Sequence, residues 1–118
     1  IAEAERPLGT PYVWGGYAPG GFDCSGFVCW VINHCGNGWS IGRTTAEGIR
    51  QYCTYVSPED ARPGDIIFFE NTYSCAGASH VGIYVGDGMM IHCGEPVQYT
   101  SINTSYWQDH FMEFGRIP

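Results

Sequence analysis

The sequence predicts an α+β fold in a single domain, with helices first and an antiparallel sheet behind them. Three observations carry that expectation. Apolar residues recur at helical spacing between Cys24 and Cys35, and from Asp65 onward the period shortens to that of strands. The length of 118 residues is enough for one core but not for two. Helical pattern followed by strand pattern is the order of an antiparallel sheet with helices packed on one side.

The apolar share of 44% and the aromatic share of 15% are those of a folded globule. A net charge of −7 with five Lys+Arg argues against a phosphate-backbone partner, so nucleic acid is not expected. No apolar run approaches the ~20 residues of a membrane span. The chain opens in a helical pattern (Ile1-Ala2-Glu3-Ala4-Glu5-Arg6), as a piece cut from something longer would.

Taken in order, Thr10 to Gly21 is a loop rich in Gly, Pro and aromatics, able to approach a site closely. Asp23 is an N-cap for a helix over Cys24 to Cys35, with Cys24, Phe27, Val28, Val31 and Cys35 on one stripe facing the body of the protein. Gly36-Asn37-Gly38 ends it. Thr44-Thr45-Ala46-Glu47 has the capping-box pattern and opens a short helix through about Tyr52. Pro58 to Gly64 is a turn. Strands follow over Asp65 to Glu70, Ser79 to Val85, Met89 to Cys93, Val97 to Thr100 and Phe111 to Ile117.

Six cysteines invite a disulfide reading, but their spacing is not that of a stapled mini-protein. Mostly reduced thiols are expected, with Cys29 and Cys35 in the core and Cys75 exposed in a polar loop.

Cys24 at the first turn of its helix lies at the positive end of the macrodipole, which favours thiolate, and backbone N–H groups there suit an oxyanion. His80 and His92 lie on strand-like segments joined by Val85-Gly86-Asp87-Gly88-Met89. A two-residue Asp87-Gly88 turn pairs Gly86 with Met89 and, uncorrected by a bulge, sends the two imidazoles to opposite faces. A three-residue loop with Gly88 left-handed pairs Val85 with Met89 and puts His92 opposite Gly82, on the face of His80. Catalysis needs the second register. His80 is then the base for Cys24, and His92 holds its tautomer. His34 and His110 read as surface or structural residues. A zinc site from Cys24, His80, His92 and Cys93 is disfavoured: no ligand clamp is present, and His92 and Cys93 point to opposite faces of a strand.

Five blocks in order and spacing resemble the NlpC/P60 family of papain-like cysteine peptidases. They are Gly9 to Gly16, Phe22-Asp23-Cys24-Ser25-Gly26-Phe27-Val28, Arg62 to Phe69, Ser79 to Gly88, and Met90-Ile91-His92. Within the family the chain resembles the C-terminal domain of bifunctional cell-wall hydrolases of Gram-positive conjugative elements. The resemblance implies a papain-like fold with Cys24, His80 and His92 as catalytic residues and Tyr12, Asp23 and Ser25 as substrate-binding ones. For Arg43, a substrate carboxylate and a structural salt bridge are equal expectations. The resemblance further implies an endopeptidase acting on the γ-D-glutamyl–diamino acid bond of peptidoglycan stem peptides, with meso-diaminopimelate or L-Lys as the diamino acid. It implies no cofactor and no metal, an extracellular or cell-wall location, and a monomer fused to a second wall-hydrolase domain. The rival readings are a related Cys-His amidase or acyltransferase, and a non-catalytic wall-binding module.

Overall fold

Asp23 starts the first long helix as its sequence anticipates: its carboxylate accepts from Gly26 N–H at 2.7 Å. In the computed structural model, which describes residues 2–5, 8–10, 12, 16–18, 21–35, 41–72, 77–94 and 97–117, that helix follows a short α1 (Ala2–Glu5) and two-residue strands β1 (Tyr17–Ala18) and β2 (Gly21–Phe22). The helix itself, α2, spans Cys24–His34, with Cys35 at its C-cap. The proposed stop at Gly36-Asn37-Gly38 and the exposed Cys75 lie outside the described residues.

Helix α3 (Ala46–Tyr52) departs from the expected capping box. Thr45 is the N-cap, its hydroxyl accepting from Gly48 N–H at 3.1 Å. Glu47 then falls one position short of the reciprocal contact. Its carboxylate meets Arg50, at 2.8 Å for Nε, and the Ala78 N–H at 2.7 Å, tying α3 to the sheet. These contacts hold its carboxyl down at about 2.

The remaining elements are β3 (Thr54–Val56), a 3-10 turn (Pro58–Asp60), β4 (Ile66–Glu70), β5 (Ala78–Gly86), β6 (Met89–Cys93), β7 (Val97–Ser101), α4 (Ser105–His110) and β8 (Phe111–Arg116). Among the described residues the sheet has six antiparallel strands in the order β3-β8-β4-β5-β6-β7. The α+β architecture is therefore as expected. Strand β4 sits inside the sheet and is buried on both sides. Ile66 and Phe68 join Phe27, Val28 and Ile49 beneath α2 and α3, while Ile67 and Phe69 join Met90, Ile102 and Phe114 on the other face. That second face is partly covered by Trp107 of α4, a helix that no apolar period marks in the sequence.

The β5–β6 hairpin combines the two geometries weighed from sequence. It closes with two residues: Gly86 pairs with Met89, and Asp87 and Gly88 both have positive φ (55° and 72°). Val85 is then an extra residue, since Tyr84 pairs with Met90 and Ile83 with Ile91. The bulge restores the register that a three-residue loop would have set. A Cβ at Gly82 would lie 3.1 Å from that of His92, so the glycine is what admits the ring opposite it.

The five described cysteines are free thiols. Cys29 is buried as expected. Cys35, past the last helical turn, is only half-buried. His34 is exposed and His110 rests on the Glu70 carbonyl at 2.9 Å. No helix among the described residues is long and apolar enough to cross a membrane.

Candidate active site

A cleft of about 410 Å³ opens where the start of α2 meets β5. Tyr12, Asp23, Cys24, Ser25, Arg43 and His80 all line it, so six of the seven sequence-proposed residues share one surface. The seventh, His92, lies behind His80.

Cys24 is the first residue of α2, and its Sγ is 3.9 Å from the Ser79 carbonyl, next in chain to His80. The expectation that the helix end would favour thiolate needs correction. Burial, and secondarily the Asp23 carboxylate, push the Cys24 thiol up to about 11, although backbone N–H groups of Val81, Ser25 and Cys24 pull the other way. The macrodipole acts at this position, but the capping carboxylate sits at the same helix end and opposes it.

His80 and His92 are joined directly, His80 Nε2 lying 2.8 Å from His92 Nδ1. His92 Nε2 continues to Thr100 Oγ1 at 2.9 Å. The rings meet edge to face, and Trp107 stacks on His80 with centroids 5.1 Å apart and lies nearly perpendicular to His92. Burial first, and then the neighbouring His92, hold His80 down at about 3; burial holds His92 at about 4. At neutral pH both imidazoles are uncharged and Cys24 is a thiol. Cys93, beside His92, points to the opposite face and its thiol meets the Phe22 carbonyl at 3.1 Å.

Beside the nucleophile, Arg43 grips Asp23 through Nη2, at 2.9 Å and 2.7 Å from the two carboxylate oxygens, and donates from Nη1 to Ser25 Oγ at 3.0 Å. Of the two expectations for Arg43, the structure displays the salt bridge. Ser25 Oγ is also 3.2 Å from Asp23. Gly26 faces the Gly16 carbonyl so closely that an added Cβ would sit 1.9 Å from it. The glycine of Asp-Cys-Ser-Gly thus lets the loop carrying Tyr12 lie against the helix start, where Tyr12 bridges Phe22.

Sequence reasoning missed several neighbours. Thr72 and Ser79 line the cleft with their hydroxyls 2.6 Å apart. Ser79 opens the Ser79 to Gly88 block, whereas Thr72 carries no local signal. Thr100 was detectable only by its alternation on β7, and Trp107 not at all.

The NlpC/P60 family model matches residues 9–116. The chain is 41% identical over 119 residues to the bifunctional muramidase/DL-endopeptidase CwlT of Bacillus subtilis, covering 99% of this chain and 35% of that protein. It therefore spans about a third of that relative's length. The crystal structure of an NLP/P60-family lipoprotein-like protein from Staphylococcus aureus superposes with a TM-score of 0.91 at 37% identity, covering 98% of this chain and 39% of that one. RipD of Mycobacterium tuberculosis, described as a non-catalytic NlpC/p60 domain protein adapted to peptidoglycan binding, superposes with a TM-score of 0.78 at 26% identity, covering 100% and 94%.

Proposed function

Since the chain belongs to the NlpC/P60 family, we propose that it is a cysteine endopeptidase of peptidoglycan stem peptides, hydrolysing the γ-D-glutamyl bond to meso-diaminopimelate or L-Lys. The observation that carries this reading is the His80–His92 bond of 2.8 Å beside a cleft that Cys24 and His80 line together.

With Nε2 of His80 engaged by His92, Nδ1 is the ring nitrogen left for Cys24. The depressed His80 and the raised Cys24 keep the proton on sulfur at rest. Attack and proton transfer are therefore coupled. As Sγ bonds to the amide carbon, its proton passes to His80 Nδ1 and the carbonyl electrons move to oxygen. The Cys24 N–H, unused by the helix at its first turn, and the Tyr12 hydroxyl receive that oxyanion. The C–N bond then breaks as His80 protonates the leaving amine. Water, giving its proton to His80, releases the thioester and restores the thiol. Asp23 and Ser25 bind the stem peptide, with Arg43 holding the Asp23 carboxylate in place. No cofactor or metal takes part.

In this reading the domain works at the cell wall, outside the cell, as a monomer fused to a second wall-hydrolase domain. The amidase reading uses the same Cys-His core, and RipD motivates the binding-module reading. Mass spectrometry of products from defined stem peptides separates them. A new amino terminus on the diamino acid is expected. Release of the intact peptide from its lactyl group would make the enzyme an amidase, and tight binding without products would make it a binding module.

A further inference from the structure

We propose that Thr100 is a positioning residue: by accepting from His92 Nε2–H it sets the tautomers of His92 and His80 so that His80 can act as the base for Cys24. The inference rests on the Cys24–His80 reading above.

A neutral imidazole has one N–H and one lone pair. Two neutral rings in series, with contacts of 2.8 Å between them and 2.9 Å to Thr100, can hold their protons in only two ways. In one, Thr100 Oγ1 accepts from His92 Nε2–H. His92 Nδ1 then accepts from His80 Nε2–H, and His80 Nδ1 keeps a lone pair for the cleft. In the other, the Thr100 hydroxyl donates to His92 Nε2, and His92 Nδ1–H donates to His80 Nε2. His80 then carries its own proton on Nδ1 and cannot take one from Cys24. The sense of a single hydroxyl decides between a base and a blocked ring.

Exposure favours the productive sense. Thr100 is half-buried, so its hydroxyl proton can turn to water while a lone pair faces the imidazole. His92 is only 4% exposed and has no such alternative. The strand register delivers the contact: β6 and β7 pair Met90 with Thr100 and His92 with Gln98, so Thr100 is diagonal to His92 on the same face. As a β-branched residue in a strand, Thr100 holds its hydroxyl direction with little rotamer freedom. When His80 takes the thiol proton, its Nε2–H bond to His92 becomes charge-assisted and therefore stronger. The proton leaves again with the amine, so the relay ends each cycle as it began.

Long-range proton–nitrogen NMR on the wild-type domain at neutral pH reads the tautomers without any turnover. Protonated Nε2 and bare Nδ1 on both rings is the expected result. A protonated Nδ1 on either ring overturns the proposal. In kinetics on stem peptides, Thr100→Val is expected to lower kcat about tenfold with KM within about twofold, the upper end of one neutral hydrogen bond, while Thr100→Ser stays within about twofold of wild type. Wild-type kcat in Thr100→Val, or Thr100→Ser as impaired as Thr100→Val, overturns it. If Thr100→Val is unimpaired while Cys24→Ala is inactive, only the role of Thr100 falls. Turnover by Cys24→Ala overturns the reading beneath it.

Discussion

Acidification from about pH 7 to about pH 5 is expected to destabilise the fold through its paired histidines. His80 is held at about 3 and His92 at about 4 in the folded protein, against an ordinary 6.5. Because the folded values are depressed, the unfolded chain takes up protons first. Stability is therefore complete above about pH 6.5 and is lost as pH falls toward the folded values. A pH of about 5 lies about 1.5 units below the ordinary histidine pKa, so each histidine is mostly charged in the unfolded chain, which lowers the stability of the fold by about 2 kcal/mol per residue. The Glu47 carboxyl, held at about 2, contributes its own loss only below its ordinary 4.5, so the interval isolates the histidines. Thermal melts followed by circular dichroism should show Tm falling by roughly 8 °C from His80 alone, and more with His92. The substitution His80→Gln should flatten the pH slope by about half. Equal Tm at the two pH values, or an unchanged slope in His80→Gln, would refute the claim that burial holds this pair neutral.

Other outcomes follow from neighbouring geometry. Gly26→Ala should cost about 2–3 kcal/mol and lower activity, because the new methyl displaces the Gly16 carbonyl and the Tyr12 loop with it; a melt within about 0.5 kcal/mol of wild type would contradict this. With the thiol raised to about 11, alkylation of Cys24 by iodoacetamide should keep accelerating through the alkaline range. A rate plateau at acidic pH would instead reveal a resting thiolate–imidazolium pair.

The parts legible in the sequence are those whose signal is local. Asp23 before an apolar stripe gives the helix and the position of Cys24, whereas the need for glycine at 26 emerges only where the Gly16 carbonyl comes against it. The requirement that His80 and His92 share a face was also legible, and so was the register that meets it. The means was not: the extra residue at Val85 is invisible to a turn rule that considers only Asp87 and Gly88. Thr45 displaced Thr44 as N-cap because Glu47 found Arg50 and the Ala78 N–H, partners that tertiary packing brings. Trp107 and Thr100 reach the histidines only through the order of strands and the short α4. The acidity of Cys24 was misjudged for a related reason. A helix dipole can be read from one segment, but burial depends on what the sheet lays over it.

The measurement that bears most directly on Cys24 as nucleophile compares Cys24→Ala with Cys35→Ala on defined stem peptides, scored by the new diamino-acid amino terminus. No product from Cys24→Ala and undiminished product from Cys35→Ala is the predicted result. Cleavage by Cys24→Ala at a rate near wild type would contradict the account.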